Sequence, residues 1–251
     1  MKNYFYFIPA FLLLLVSCQE ETSEKIEIAA AANMQFPIKE LTASFEEKTG
    51  IPTSVSIASS GKLTNQIKNG APYEVFLSAD MGYPEELYKK DFTAGKPKAY
   101  AFGKLVLWTT GEDAPSLNIL KEEKIKHIAI GNPRLAPYGV AAKSVLKKHK
   151  LYSILKEKYV MGESITQVNQ FITSNAADIG FTALAVVKSP NNRDIGKWIE
   201  IPDTSYAPIG QGTVLIKQEG KISDKAQQFY DFLFSQKARN ILSNYGYSFQ
   251  D

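Results

Sequence analysis

The stretch Ser56–Leu63, S-I-A-S-S-G-K-L, decides how this chain is to be read. The β-branched residues Val55 and Ile57 make a strand, and Leu63 and Ile67 recur at helical spacing. A strand therefore stops, and a helix starts, at Ser59-Ser60-Gly61. A helix start has backbone N–H groups with no intrahelical acceptor and carries the positive end of the helix dipole, so this turn can take an anion. Four readings compete there. The turn is a plain serine N-cap, a phosphate loop around Gly61-Lys62, a Ser-x-x-Lys nucleophile pairing Ser59 with Lys62, or an uncharged oxyanion cradle with Ser60 as hydroxyl donor.

Outward from this turn the strand-then-helix pattern recurs. Lys25–Ala31 alternates around Ile26 and Ile28 and ends in alanines. Met34, Ile38, Leu41 and Phe45 then mark a helix, stopped by Gly50 and Pro52. Glu74–Leu77 is a third strand, and a helix forms around Leu87. Such units, joined by short turns, predict an open, mostly parallel α/β sheet with helices on its faces. Leu105–Thr109 is apolar without alternation, hence buried on both faces. A second run follows: strand His127–Ile130, a helix through Tyr138 and Leu146 entered at Pro137, a short strand Tyr159–Met161, and a helix capped by Ser164. Strands at Ala177–Thr182, Trp198–Ile201 and Gly212–Ile216 precede helices at Ala226–Phe234 and Ala238–Tyr245. The halves look alike, and the long apolar strands Leu105–Thr109 and Gly212–Ile216 are the natural places for the chain to cross between two lobes. Two-lobed architectures of this kind bind ligand in the cleft and close on a hinge.

Composition sets bounds. With 251 residues, 44% of them hydrophobic, the chain fills one large or two modest domains. A formal charge of +3 gives no strong attraction to nucleic acid. Two histidines and one cysteine leave little material for a soft-metal site or a Cys/His catalytic pair. Residues 1–17, with Lys2 followed by an apolar run from Phe11 to Val16, read as a signal peptide. The L-V-S-C ending resembles a bacterial lipobox, which makes Cys18 the lipidated first residue of the exported protein and residues 18–24 a polar tether.

The four readings can be tested against the rest of the chain. A phosphate loop needs G-x-x-x-x-G-K-[ST], but Ser56 stands where the first glycine belongs and Leu63 where the Mg²⁺-binding hydroxyl belongs. An acyl-enzyme of the Ser-x-x-Lys type needs its Lys-Thr-Gly downstream, whereas Lys48–Gly50 lies upstream and no Ser-Asp-Asn intervenes. The cradle gains company: Ala32-Asn33, Pro137-Tyr138-Gly139 and Ser164-Ile165 are further strand-to-helix turns, and in an open α/β sheet such loops gather at the ligand-binding edge. Together they offer backbone N–H groups, a hydroxyl, an amide and a phenol, all uncharged. That set suits a fully ionised oxyanion, which only accepts hydrogen bonds. Asp80, ending a strand in S-A-D, is expected to cap the following helix, and Lys62 to be solvated.

At this point a resemblance becomes specific. I-A-A-A-A-N at 28–33, A-S-S-G-K-L at 58–63, G-A-P-Y-E-V-F-L-S-A-D at 70–80, G-N-P-R-L-A-P-Y-G at 131–139, N-A-A-D-I-G-F at 175–181, F-Y-D-F-L at 229–233 and Y-G-Y at 245–247 resemble the periplasmic molybdate-binding proteins of bacterial molybdate ABC transporters. The resemblance covers about residues 25–248. It implies the type II periplasmic-binding-protein fold, an α/β class of two lobes, each a mixed, mostly parallel sheet flanked by helices, joined by a two-segment hinge. Lobe I is expected at 25–104 plus 212–251 and lobe II at 105–211. It further implies capture of molybdate, and of tungstate, for delivery to a membrane permease, with no catalysis and no cofactor. The expected ligand residues are Ala32 through its backbone N–H, Asn33 through its amide, Ser60, Tyr138 and Ile165; molybdenum is held only as its oxyanion, with no direct metal ligand. Where many members carry a ligand tyrosine, this chain has Ala183, which suggests that the Tyr138 phenol takes over that contact. The implied protein is a monomer, lipid-anchored at Cys18 on the periplasmic face of a membrane, without nucleic-acid partners.

Overall fold

The computed structural model describes residues 25–250. The signal peptide expected at 1–17, Cys18 and the tether to residue 24 lie outside the described residues.

The chain builds two five-stranded mixed sheets with the same plan. In the first, β1 (Ile26–Ala31) lies between β2 (Thr53–Ala58) and β3 (Val75–Leu77), all parallel, and the order is β2-β1-β3-β10-β4. Here β4 is Lys98–Gly103, and β10 (Ile209–Leu215) runs antiparallel to both β3 and β4. In the second, β6 (Ile128–Gly131) lies parallel to β7 (Tyr159–Gly162) and β8 (Ile179–Ala183). There β5 (Leu105–Thr109) runs antiparallel between β8 and β9 (Lys197–Glu200). Each sheet thus receives one reversed strand directly after the chain crosses from the other lobe, β5 into the second sheet and β10 back into the first. All five residues of β5 and all seven of β10 are buried, as a strand without alternation requires. β10 begins at Ile209, earlier than the strand expected at Gly212, because Gln211 interrupts the apolar run in sequence yet pairs with Ala101 of β4.

Helices cover the sheets: α1 (Pro37–Thr49), α2 (Ser60–Lys68), α3 (Gly82–Lys89), α4 (Pro137–Lys148), α5 (Ile165–Thr173), the single turn α6 (Leu184–Val187), α7 (Asp224–Phe232) and α8 (Gln236–Asn244). Gly50 ends α1 in the left-handed conformation, φ 70°, as its place after the helical period predicts. The first lobe closes its core where Phe45 of α1 meets Phe229 edge-to-face, with ring centroids 5.2 Å apart. The second lobe packs around fully buried Trp108 and Phe181. Ala31, Ala32 and Ala79, at the ends of first-lobe strands, join the second lobe's apolar cluster, so small side chains line the seam between lobes. Among the described residues no helix is long and apolar enough to cross a membrane.

Candidate functional site

The parallel strands in each lobe end on the seam, and the turns that follow them start the helices of interest. Ala32, Asn33, Ser60, Tyr138 and Ile165, five residues scattered over the sequence, line one cavity and are each at most 4% exposed. The cavity is small and lies tight between the two lobes.

The helix starts at the cavity carry free peptide N–H groups and, at Ser60, a hydroxyl. Ser60, Tyr138 and Ile165 sit in the first turns of α2, α4 and α5, where N–H groups have no helical acceptor. The positive ends of these dipoles therefore converge on one point. Ser60 Oγ accepts from Ala79 N–H at 3.0 Å, which leaves the hydroxyl proton to be donated elsewhere. No charged side chain lines the cavity. Asp80 turns away from it: its Oδ1 accepts from Tyr83 N–H at the start of α3 and from the Ser78 hydroxyl. Burial raises its carboxyl pKa, and those hydrogen bonds oppose the shift. Lys62 is exposed while Ser59 Oγ is buried and without a partner, so the Ser-x-x-Lys pair required for a nucleophile does not form. Both His127 and His149 are exposed, and among the described residues no group of His, Cys, Asp or Glu could hold a metal ion.

Two of the expected side-chain donors have surroundings of their own. Asn33 Nδ2 is already committed, donating to Gln211 Oε1 at 2.7 Å and to Tyr247 Oη at 2.8 Å, while Oδ1 is buried without a partner. Gln211 is oriented in turn by donating from Nε2 to the Ile209 carbonyl at 3.0 Å, which leaves Oε1 facing Asn33. The Tyr138 phenol, expected to take over the contact of the tyrosine missing at Ala183, is buried without a hydrogen-bond partner. It reaches toward the hinge, so close to Gly103 that a Cβ there would collide with Oη. It sits beside Tyr247, which contributes to its titration, but makes no hydrogen bond of good geometry. Burial, reinforced by the neighbouring Tyr247 and Tyr100, pushes the Tyr138 phenol well above its ordinary range, so it stays protonated. Ala183 itself is buried at the end of β8, paired with Leu105.

The structure also holds the cleft shut. Gly61 N–H donates to the Leu135 carbonyl across the seam at 3.0 Å, and the Tyr83 hydroxyl donates to the Arg134 carbonyl at 3.0 Å. On the other flank Thr166 Oγ1 donates to Gln35 Oε1 at 2.8 Å. These latch residues, with Gln211 and Tyr247, escape the sequence reading. The one signal for Gln211 is a polar residue inside a run that is otherwise apolar; Tyr247 lies in the quoted Y-G-Y motif, without an indicated role.

Residues 26–248 match the family described as bacterial extracellular solute-binding protein. The molybdate-binding protein ModA of Azotobacter vinelandii is 39% identical over 239 residues, which is 94% of each chain. A putative ABC transporter substrate-binding lipoprotein of Bacillus subtilis, YvgL, is 28% identical and covers 98% of each. Among solved structures, the periplasmic molybdate-binding protein of Azotobacter vinelandii superposes with a TM-score of 0.83 at 34% identity, covering 90% of this chain and 100% of that one.

Proposed function

The chain belongs to the bacterial extracellular solute-binding proteins, and on that premise we propose that it is the molybdate receptor of an ABC importer, accepting tungstate as well. One observation carries the reading: three helix starts and Ser60 line one small cavity that no charged side chain enters. The peptide N–H groups of Ala32, Asn33, Tyr138 and Ile165 and the Ser60 hydroxyl bind the oxyanion through its oxygens, and no protein atom touches the molybdenum. The relatives named for molybdate binding match this chain over nearly its whole length. No reaction follows capture; the protein binds a solute and hands it on, and needs no cofactor.

Selectivity comes from what the cavity lacks. Without a carboxylate to accept a proton, it disfavours oxyanions that must donate one, such as monohydrogen phosphate. Lobe I comprises residues 25–104 with 209–251 and lobe II residues 105–208, a boundary three residues earlier than the sequence suggests because β10 enters the first sheet at Ile209. The ligand closes the lobes on each other, the latch contacts at Gly61, Tyr83 and Thr166 form, and the closed pair is the shape the permease meets. Acylation of Cys18 holds the monomeric receptor at the periplasmic face of the membrane, a reading favoured by the likeness to a chain named as a lipoprotein.

Thermal unfolding with molybdate, tungstate, sulfate and phosphate in turn tests the proposal. Strong stabilisation by molybdate and tungstate, and little by sulfate or phosphate, is expected. A response to sulfate alone would make this a receptor for a different oxyanion.

A further inference from the structure

Serines occupy the N-cap positions of α2, α5, α7 and α8. Those at α5, α7 and α8 do the ordinary work of a cap: Ser164 Oγ accepts from Gln167 N–H, Ser223 Oγ from Ala226 N–H and Ser235 Oγ from Ala238 N–H, at 3.2–3.3 Å. Ser59, at α2, does not. Its backbone is as extended as that of the others, φ −66° and ψ 149°, yet its side chain accepts nothing from the helix it begins. One orphan N–H of that turn, that of Gly61, is taken by the Leu135 carbonyl of the opposite lobe.

The Ser59 hydroxyl is left buried, 4% exposed, and without a hydrogen-bond partner. Ser59 is among the residues that line the same cavity as Ser60. A buried hydroxyl with no partner lowers stability, and a short turn of χ1 toward the helix would have relieved it as in the other caps. The neighbouring Ser60 hydroxyl accepts from Ala79 and so has its proton free for the cavity.

We infer that Ser59 is a second hydroxyl donor to the bound oxyanion, a contact beyond the five residues proposed above. The inference rests on the oxyanion reading of this site. Tetrahedral oxyanions offer four oxygens, each accepting more than one hydrogen bond, so an additional donor is accommodated without displacing the peptide N–H groups. The arrangement trades stability of the empty protein for affinity.

That trade sets the test. Ser59→Ala is compared with wild type by its unfolding midpoint without ligand and by calorimetric titration with molybdate. The midpoint is expected to hold or rise, because an unsatisfied buried group is removed, while molybdate affinity falls about tenfold or more, as for loss of a hydrogen bond to a charged group. Ser59→Gly, which keeps an acceptable N-cap without a hydroxyl, should repeat both effects. A lowered midpoint with wild-type affinity would make Ser59 a structural cap and overturn the inference. Wild-type affinity at an unchanged midpoint would overturn it as well. A wild-type protein that gives no heat with molybdate would overturn the reading on which it rests.

Discussion

Gly61→Ala separates the closed cleft from the fold that carries it. Gly61 lies in the first turn of α2, with ordinary helical backbone, so alanine suits the helix itself and favours it by about 0.5–1 kcal/mol. The added Cβ would stand 2.7 Å from Tyr83 Oη, 3.1 Å from Leu135 Cα and 3.2 Å from the Leu135 carbonyl oxygen. The phenol can swing aside, at the loss of its hydrogen bond to the Arg134 carbonyl. Leu135 is backbone of the opposite lobe and yields only if the cleft opens, which breaks the bond from Gly61 N–H. Two neutral hydrogen bonds at about 0.5–1.5 kcal/mol each amount to about 1–3 kcal/mol taken from the closed state alone. Affinity for molybdate should therefore fall by about 5- to 150-fold, while the ligand-free protein unfolds at an equal or higher temperature. Calorimetric titration gives the first quantity, thermal unfolding the second, and small-angle scattering reports whether the ligand still compacts the molecule. Wild-type affinity together with ligand-induced compaction would refute the assignment of the Gly61–Leu135 contact to the bound form.

Other perturbations address individual donors. Ser60→Ala should weaken molybdate binding by about 1–3 kcal/mol, since a donor to a buried charge is lost, whereas Lys62→Ala should leave equilibrium affinity unchanged, because the ammonium is exposed and lines no part of the cavity; titration of both variants decides whether charge or neutral dipoles hold the ion. Tyr138→Phe should keep affinity within about threefold, as the phenol lies against Gly103 at the hinge, and a larger loss in the same titration would return the phenol to the site. Tyr159 and Tyr206 are each pushed up to about 12 from 10.0, chiefly by burial. The unfolded chain releases these protons near pH 10 and the folded one near 12, so stability is at its full value below pH 10 and falls as pH rises from 10 to 12, which denaturant midpoints at pH 8, 10 and 11.5 would follow.

The fold was largely legible because its periods are unambiguous. Leu105–Thr109 and Tyr159–Met161 lie within strands, and the helix entered at Pro137 begins at that residue. Two elements were not. Lys98–Gly103, K-A-Y-A-F-G, lacks β-branched residues and becomes a strand only because β10 pairs along it. The turn Leu184–Val187 is too short to show a helical period. At the site, the turns themselves could be read locally, since each is a strand end followed by a helix start. The directions of side chains could not. Asn33 meets Gln211 and Tyr247 across 178 and 214 residues of chain, and nothing near Asn33 announces that its amide is spoken for. The Tyr138 phenol was equally ambiguous, because a position in the first turn of a helix sets where the peptide N–H points and leaves the ring free to follow whatever space the hinge provides. At Gly103 that space exists only because there is no Cβ.

The central claim is that a tetrahedral oxyanion sits among uncharged donors at three converging helix starts. A crystal structure of the protein with tungstate, phased on the anomalous signal of tungsten, tests it most directly. The account predicts one strong anomalous peak inside the cavity, with oxygens within hydrogen-bond distance of the Ser60 hydroxyl and the peptide nitrogens of Asn33, Tyr138 and Ile165, and no cation alongside. A peak at Lys62 on the cleft rim, or an ion held by the Tyr138 phenol and the Asn33 amide instead of the peptide groups, would contradict it.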